Sequence, residues 1–176
     1  MKAREQGKVR CLGFSAHTTV AALDVMNGFQ FDTVMFPINF VDYFVNGFGK
    51  EVIQLANKQG AGLISIKIMS HGRWPQDSKR TRDYWYRSAE TDDEIARVFR
   101  WTLSMKGLVA GIPPAWLDLN DKAIEAAKRY KPATADDAAD LERLAASLLP
   151  LFRQEESRAD LGSPDHPYWD YRSHEV

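Results

Sequence analysis

GKVRCLGFSAH, residues 7–17, is the stretch that decides the fold of this chain. Val9–Phe14 is an apolar segment typical of a strand, and Lys2–Gln6 has the composition of the last turns of a helix, which Gly7 stops. A strand that follows a helix so early is typical of a chain that is already inside a repeating β/α architecture. Because such barrels place catalytic groups at the carboxyl ends of several strands, we expect functional residues at strand ends.

Composition narrows the class of protein. The 176 residues are 44% hydrophobic and 11% aromatic, which is enough apolar material for the core of one domain. A net charge of −1 gives no overall attraction to nucleic acid or to an anionic membrane. The single cysteine, Cys11, excludes an internal disulfide framework, and we expect it to be packed inside the first strand.

Targeting signals are not evident in the sequence. Residues 1–10 are charged rather than apolar, unlike a signal peptide. No apolar run approaches the roughly 20 residues that a membrane-spanning helix needs. We therefore expect a cytoplasmic protein that binds neither nucleic acid nor membrane.

Short apolar strands alternate with amphipathic helices along the chain, which predicts parallel β/α units. The units number about four, half of an eight-unit barrel of about 250 residues. An open doubly wound sheet is the alternative, but its phosphate-binding glycine loop is not matched by Gly13–His17. The predicted strands are 9–14, 31–36, 62–68 and 108–112, and the predicted helices are 18–27, 50–59, 92–105, 120–129 and 134–152, with a polar loop over 70–91 and an irregular segment over 157–176.

Several of these segments also resemble a known family. Gly7–His17 resembles the fifth-strand signature of the aldo/keto reductase superfamily, in which a glycine and a basic residue precede "IR-IG-S" and a polar residue. The resemblance covers roughly residues 4–128 and depends on the order and spacing of individually modest motifs. The later motifs are Phe31–Asn39, similar to the sixth strand, Gly60–Met69, similar to the seventh, and Arg100–Ser104 with Leu108–Pro113, similar to the last helix and the eighth strand ending in "IP".

The resemblance implies a (β/α)8 barrel in which a nicotinamide cofactor, usually NADP, reduces a carbonyl to an alcohol. The predicted fold is a partial barrel, strands five to eight, over residues 1–130, with a C-terminal helix and tail over 131–176 that pack on it. The family's proton donor is a tyrosine tuned by a lysine, an aspartate and usually a histidine, all on the first four strands. We find no segment that carries them, and therefore predict no catalytic residue.

Tyr43, Lys67, Asp42 and His17 are not assigned to those catalytic roles. The chain instead resembles part of the family barrel that binds the cofactor. The resemblance implies that Ser15 hydrogen-bonds the nicotinamide carboxamide. The predicted cofactor-binding residues are Ser15, Asn39, Lys67, Ile112 and Pro113.

Several residues differ from the family pattern at cofactor-binding positions, and these differences lower the affinity for NADP that we expect. Met35 stands where the family usually has a glutamine, and Ile66 where it often has a tyrosine that stacks under the nicotinamide. Residues 114–122 match the loop that binds the adenosine 2′-phosphate, yet they contain no arginine, and Asp118 and Asp121 would repel a phosphate. The sequence therefore does not predict tight NADP binding.

Each candidate also has an ordinary structural interpretation. Ser15 can cap a helix, Asn39 can form a turn, and Lys67, which ends an apolar strand, needs either an anionic ligand or a salt bridge. Residues 70–88 carry five basic and two acidic side chains, a net of +3, among aromatic residues, and form either a loop over a dinucleotide pyrophosphate or an ordered surface loop. We predict no metal site, because His166, His174 and Asp165 lack zinc-ligand spacing.

The favoured hypothesis is that the chain is the C-terminal half of an aldo/keto reductase-like barrel, from a truncated or misassigned reading frame. The complete barrel would bind NADP or NAD and a small carbonyl substrate, and the chain alone would be inactive. One alternative is a half-barrel that works as a binding or assembly module and associates with itself through open strand edges. Another is a divergent, non-catalytic relative of the family.

Overall fold

A computed structural model describes residues 1–152 of the chain. The predicted tail, with His166, His174 and Asp165, lies outside the described residues. The helices are α1 (Lys2–Glu5), α2 (Thr19–Gly28), α3 (Phe40–Asn46), α4 (Lys50–Gln59), α5 (Asp92–Leu103), α6 (Leu117–Lys128) and α7 (Ala135–Ala145). The strands are β1 (Gly13–Ser15), β2 (Thr33–Pro37), β3 (Gly62–Ile66), β4 (Ser70–Arg73), β5 (Tyr86–Ser88) and β6 (Leu108–Gly111).

The main sheet has four parallel strands in the order β1-β2-β3-β6. Each new strand is added on the same side of the previous one, so the order never reverses. A doubly wound sheet reverses at its switch point, whereas a β/α barrel adds strands in one direction. The topology therefore excludes the doubly wound alternative and fits the barrel arrangement.

The two faces of this sheet differ in burial. Val34 and Phe36 of β2 and Leu63 of β3 are fully buried, while the alternating residues Met35 and Ile64 are only partly buried. Successive strand residues point to opposite faces, so one face is covered by helices and the other is partly open. We call the partly open side the inner face, because it corresponds to the inside of a barrel.

Helices cover the sheet through two apolar clusters. The first joins α2 and α4 to β2 and β3 through residues such as Met26, Val52 and Phe36. The second gathers α3, α5, α6 and α7, with Phe40, Ile95 and Leu119 among its buried members. Since α7 belongs to this second cluster, the C-terminal helix packs on the same body as the β/α units, while the boundary at residue 130 stays a prediction.

The predicted placement of Cys11 is wrong. The first strand begins at Gly13, two residues beyond the cysteine, and Cys11 is exposed. The backbone N–H of Leu12 donates to the Asp32 carboxylate at 2.7 Å, so the chain enters the sheet only after this bond. As an edge strand, β1 has a parallel neighbour on one side only. The apolar run over residues 9–12 therefore leads into the strand without being covered.

Other predicted boundaries also need correction. Residues 40–46, for which no helix or strand is predicted, form α3, and the predicted polar loop over 70–91 contains the antiparallel pair β4 and β5. The last helix ends at Ala145, not near residue 152, and β3 ends at Ile66, so that Lys67 lies beyond it. Within the described residues, no helix is long and apolar enough to cross a membrane.

Candidate functional site at the strand ends

The carboxyl ends of the four parallel strands lie side by side, because the strands are parallel and in register. Ser15 ends β1 and pairs with Met35, and Pro37 of β2 pairs with Ile66 of β3. Residues that follow these ends form what we call the strand-end edge. All five predicted cofactor-binding residues lie at this edge. Ser15 ends β1, Asn39 follows β2, Lys67 follows β3, and Ile112 and Pro113 follow β6.

Ser15 is exposed at this edge and does not cap the helix that follows. The N-cap of α2 is Thr18, whose hydroxyl accepts a hydrogen bond from the Ala21 N–H at 3.3 Å. The capping role expected of a hydroxyl in this turn therefore belongs to Thr18. The Ser15 hydroxyl, by its exposure, is open to an incoming molecule, and its assignment to a nicotinamide amide stays a prediction.

Asn39 is buried and has a structural role. Its Oδ1 accepts a hydrogen bond from the Asp42 N–H at 3.0 Å, which caps α3, and its Nδ2 donates to Asp42 Oδ2 at 2.6 Å. Both polar groups of the amide are thus engaged inside the protein. This arrangement corresponds to the turn-forming alternative, and a cofactor contact by Asn39 would require one of these bonds to open.

Asp42 joins the strand-end edge to the end of the described chain. Its carboxylate is fully buried, and Oδ1 accepts a hydrogen bond from the Phe152 N–H at 2.9 Å. Burial raises the pKa of Asp42, while its hydrogen bonds and the Arg73 charge oppose that rise. Arg73 itself donates to the Leu151 carbonyl at 2.8 Å. This network positions Phe152, which stacks on Phe48 with ring centroids 4.6 Å apart.

Lys67 is the cation of the strand-end edge. It directly follows β3, is half-buried, and has a positive φ of 61°, which is rare for a residue with a side chain. Its Nζ lies 5.2 Å from the Trp85 ring centroid and 5.3 Å from that of Tyr86. No carboxylate among residues 1–152 forms an ion pair with it. Of its two sequence-based alternatives, the salt bridge is therefore not found in the described part.

His17 shares this end of the sheet with Lys67. Burial lowers the pKa of His17, and the positive charge of Lys67 lowers it further. Burial also lowers the pKa of Lys67. The imidazole ring lies 6.4 Å from the Phe152 ring, between centroids. A neutral imidazole beside a partly desolvated ammonium can take part in proton transfer or bind a polar ligand.

Ile112 and Pro113 continue β6 at the far side of the edge. The Ile112 N–H donates to the Ser65 carbonyl at 2.8 Å, which extends the sheet by one bond, and the side chain is 42% exposed. An exposed apolar side chain here offers a flat contact surface but no specific hydrogen bond. The cofactor-binding prediction for both residues stays untested.

Residues 114–122 contain no arginine, but Arg82, from the loop between β4 and β5, contacts them. Arg82 donates to both Asp118 oxygens, at 3.1 and 2.5 Å, and to Glu90 at 3.3 Å. Its guanidinium carbon lies 5.3 Å from the Trp116 ring centroid. Because two carboxylates already neutralise this arginine, it does not present a net positive site for a 2′-phosphate.

A polar cleft beside β4 and β5 was missed by the sequence analysis. It has a volume of about 350 Å³ and is lined by His71, Ser88 and Glu94 among others. His71 Nε2 and Ser88 Oγ are buried and have no hydrogen-bond partner among residues 1–152. Among the described residues, no group of three or more His, Cys, Asp or Glu side chains could hold a metal ion. The signal that could have revealed β4 and β5 is the aromatic run Tyr84–Tyr86, which favours a strand.

The geometry supports binding more readily than catalysis. Tyr43 packs against Phe44 and Trp101 in the helix layer, with ring centroids 5.3 and 5.2 Å away, and Asp42 is enclosed by its own hydrogen bonds. Both side chains are thus engaged with other parts of the protein. The strand-end edge offers one hydroxyl, one amine and one imidazole, on Ser15, Lys67 and His17, at the place where barrels bind their ligands.

Comparison with solved structures identifies the fold. The chain is similar to the aldo-keto reductase AKR11C1 from Bacillus halodurans in its holo form, with a TM-score of 0.60 and 12% identity over 88% of this chain and 56% of that one. The apo form of that protein gives a TM-score of 0.60 at 13% identity, over 88% and 57% of the two chains.

The thermostable aldo-keto reductase Tm1743, in complex with the inhibitor epalrestat, gives a TM-score of 0.51 at 15% identity over 81% of this chain and 51% of that one. The resemblance inferred from the sequence is thus confirmed for the fold, and the chain spans little more than half the length of these proteins. No protein-family model matches the sequence. No curated protein matches it either.

Proposed function

We propose that the chain forms one half of an aldo/keto reductase-like barrel, equivalent to strands five to eight, and that its strand-end edge binds NADH or NADPH. In the complete barrel the cofactor would transfer hydride to a small carbonyl substrate. The observation that carries this proposal is the consecutive parallel order β1-β2-β3-β6, with Ser15 and Lys67 at the ends of two of its strands. That order fits a series of β/α units, and the two positions are those at which the resemblance expects cofactor-binding residues.

The residues at the edge define what each would do. The exposed Ser15 hydroxyl would hydrogen-bond the nicotinamide carboxamide, and Lys67, which has no carboxylate partner in the described part, would attract the negatively charged pyrophosphate. Ile112 and Pro113 would provide apolar contact. The resemblance places the family's tyrosine, lysine, aspartate and histidine on the first four strands, so we propose that this chain alone does not reduce carbonyls, although the Tyr86 ring lies 5.3 Å from Lys67 Nζ.

Binding should be weak and should not favour the 2′-phosphate. Met35 and Ile66 cannot replace the hydrogen-bonding and stacking side chains of the family, and Asp118 already neutralises Arg82. A dissociation constant in the millimolar range corresponds to about 4 kcal/mol of binding free energy, which two or three polar contacts can provide. NADH should therefore bind at least as well as NADPH.

The test is a titration of the full chain with NADH and NADPH, followed by tryptophan fluorescence. Lys67→Met should weaken NADH binding several-fold, because it removes the charge and keeps the apolar stem. Lys50→Met is the matched control, since Lys50 also contacts an aromatic ring, that of Tyr43 at 4.8 Å, but lies exposed on α4. No saturation by either cofactor at about 10 mM, or equal losses in both variants, would contradict the proposal.

The open inner face supports a second candidate function, self-association. Val109 of β6 is 64% exposed on this face, and in the part of the chain that the structure describes, β1 and β6 are the edge strands of the parallel sheet. A second copy placed against the face would cover both. Sedimentation velocity should then show a discrete dimer that Val109→Lys dissociates, whereas a monomer at all concentrations would exclude this function.

A further inference from the structure

Lys67 has a strained backbone that its neighbours hold in place. Its φ of 61° is one of two positive values among the non-glycine residues of the described chain, the other being that of Asp77. The Lys67 carbonyl accepts a hydrogen bond from the Ser70 N–H at 2.8 Å, which closes the turn between β3 and β4. Strain of this kind is concentrated at functional sites. The positive φ therefore makes Lys67 a candidate functional residue.

The surroundings of the Lys67 amine are aromatic and contain no counter-ion in the described part. The Trp85 and Tyr86 rings lie 5.2 and 5.3 Å from Nζ. Lys50 provides the contrast within the same protein, since its amine also lies near a ring but the residue is exposed. Lys67 and Lys50 thus have similar ring contacts but differ in burial. Burial takes the Lys67 ammonium partly out of water, whereas the Lys50 ammonium stays solvated.

Two titratable groups lie near Lys67, and burial is what favours its neutral amine. They are His17, from the loop after β1, and the Tyr86 phenol, from β5. Burial lowers the pKa of Lys67, so a larger fraction of the amine is neutral and nucleophilic near pH 7 than for an exposed lysine. The lowered pKa of His17 keeps the imidazole neutral, able to accept and return a proton.

We propose that Lys67 forms an imine with small aldehydes and ketones. The Nζ lone pair attacks the carbonyl carbon, and one proton passes from Nζ to the carbonyl oxygen to give a neutral carbinolamine. Loss of the hydroxyl group with one proton, as water, leaves a carbon–nitrogen double bond on Nζ. No oxidant or cofactor is required, and hydrolysis by one water molecule reverses the reaction. Desolvated lysines are the ones that carry out this chemistry in proteins.

This activity does not depend on the proposed cofactor function. It requires only a neutral amine that is accessible to a small carbonyl compound, and Lys67 is half-buried rather than enclosed. The two functions are nevertheless linked at one atom. A bound pyrophosphate would favour the charged ammonium and cover the amine, so cofactor binding should slow imine formation.

The experiment is reductive trapping on the full chain. Acetaldehyde and sodium cyanoborohydride convert the imine into a stable secondary amine, and peptide mass spectrometry measures the labelled fraction at Lys67 and Lys50. Each unit by which the pKa is lowered makes the neutral amine about tenfold more abundant at pH 7. We expect Lys67 to be labelled several-fold faster than Lys50 at pH 7, and the ratio to fall as the pH rises.

Variants separate reactivity from access. Lys67→Arg should abolish the adduct at this position without changing the labelling of Lys50, and Trp85→Ala should bring the rate at Lys67 towards that at Lys50. Labelling of Lys67 that is no faster than that of Lys50 at pH 7 would overturn the proposal, because burial would then only shield the amine. The comparison of Lys67 with Lys50 is made in the wild-type chain, so it does not depend on how the variants fold.

Added NADH distinguishes the two proposals. Protection of Lys67 by NADH is expected if the cofactor occupies the strand-end edge. Fast labelling that NADH does not slow supports the amine chemistry and counts against the cofactor site at Lys67.

Discussion

The exchange of two side chains at the start of α3 provides the sharpest test of the packing at the strand-end edge. Asn39 Nδ2 donates to Asp42 Oδ2, Asn39 Oδ1 accepts from the Asp42 N–H, and Asp42 Oδ1 accepts from the Phe152 N–H. Asp42→Asn retains the acceptor for Phe152 but places two NH2 groups against each other. Asn39→Asp retains the cap but places two carboxylates together. The double exchange restores every donor–acceptor pair.

The magnitudes follow from the burial of this network. A buried donor without a partner costs about 1–3 kcal/mol, so Asp42→Asn should lower the free energy of unfolding by about 1–3 kcal/mol. Asp42→Ala leaves two donors without partners but also removes a buried charge, and we expect a loss of about 2–4 kcal/mol. The double exchange should recover most of the Asp42→Asn loss, a coupling of about 1–2 kcal/mol.

Urea denaturation followed by circular dichroism measures these differences. Asp24→Asn on the exposed face of α2 is the matched control and should change stability by less than about 0.5 kcal/mol. If the double exchange is no more stable than the less stable single variant, the three hydrogen bonds are not arranged as described.

Two further predictions concern pH and backbone conformation. Because burial raises the pKa of Asp42 above its ordinary value of 3.8, its contribution to stability is greatest below pH 3.8 and is lost as the pH rises through the folded-state pKa. The stability of wild type relative to Asp42→Asn should therefore fall between acid and neutral pH in urea titrations, and a constant difference would contradict the raised pKa. Gly72 has a φ of 80°, and a Cβ at this position would lie 2.1 Å from the Leu149 carbonyl oxygen. Gly72→Ala should therefore lower the melting temperature by several degrees, equivalent to a loss of more than about 1 kcal/mol in the free energy of unfolding. Gly28→Ala, with no atom within 4 Å of the new methyl group, should instead leave it unchanged or raise it, and equal effects in thermal melts would show that the contact with Leu149 is not made.

The repeating part of the fold could be predicted from the sequence. Helix α4 has the predicted bounds, Lys50–Gln59, because an amphipathic pattern and the terminal Gly60 coincide, and Gly60 has the left-handed conformation at the helix end. The parallel strands are short apolar runs bounded by Gly or Pro, so three of them were placed within two residues. Local signals and tertiary packing agree in these elements.

The errors lie where tertiary contacts outweigh local pattern. Phe40–Asn46 contains apolar residues without a clear period, and its helix depends on the Asn39 cap and on burial of Phe40. The aromatic run Tyr84–Tyr86 is the one local signal for the pair β4–β5, and both short strands depend on pairing across an intervening loop. Cys11 was misplaced because an apolar run shows where a strand can form, not whether the sheet covers it.

The candidate site at the strand ends stays a prediction, and little of its side-chain geometry follows from the sequence. The expectation that chemistry lies at the strand ends identified Lys67 and Ser15, but no sequence pattern reveals the positive φ of Lys67 or its two ring contacts. Likewise, Asn39 was a candidate ligand residue by resemblance, and only its hydrogen bonds with Asp42 show its structural role. Side-chain partners brought together across the fold cannot be deduced from spacing alone.

Mapping of NADH onto the backbone amides by nuclear magnetic resonance would test the proposed cofactor site most directly. Binding at the strand-end edge predicts that the largest, saturable shifts fall within residues 15–17, 67–68 and 111–113, and that Lys67→Met reduces them. Shifts concentrated in the cleft around His71 and Ser88, or none at any concentration of NADH, would contradict it.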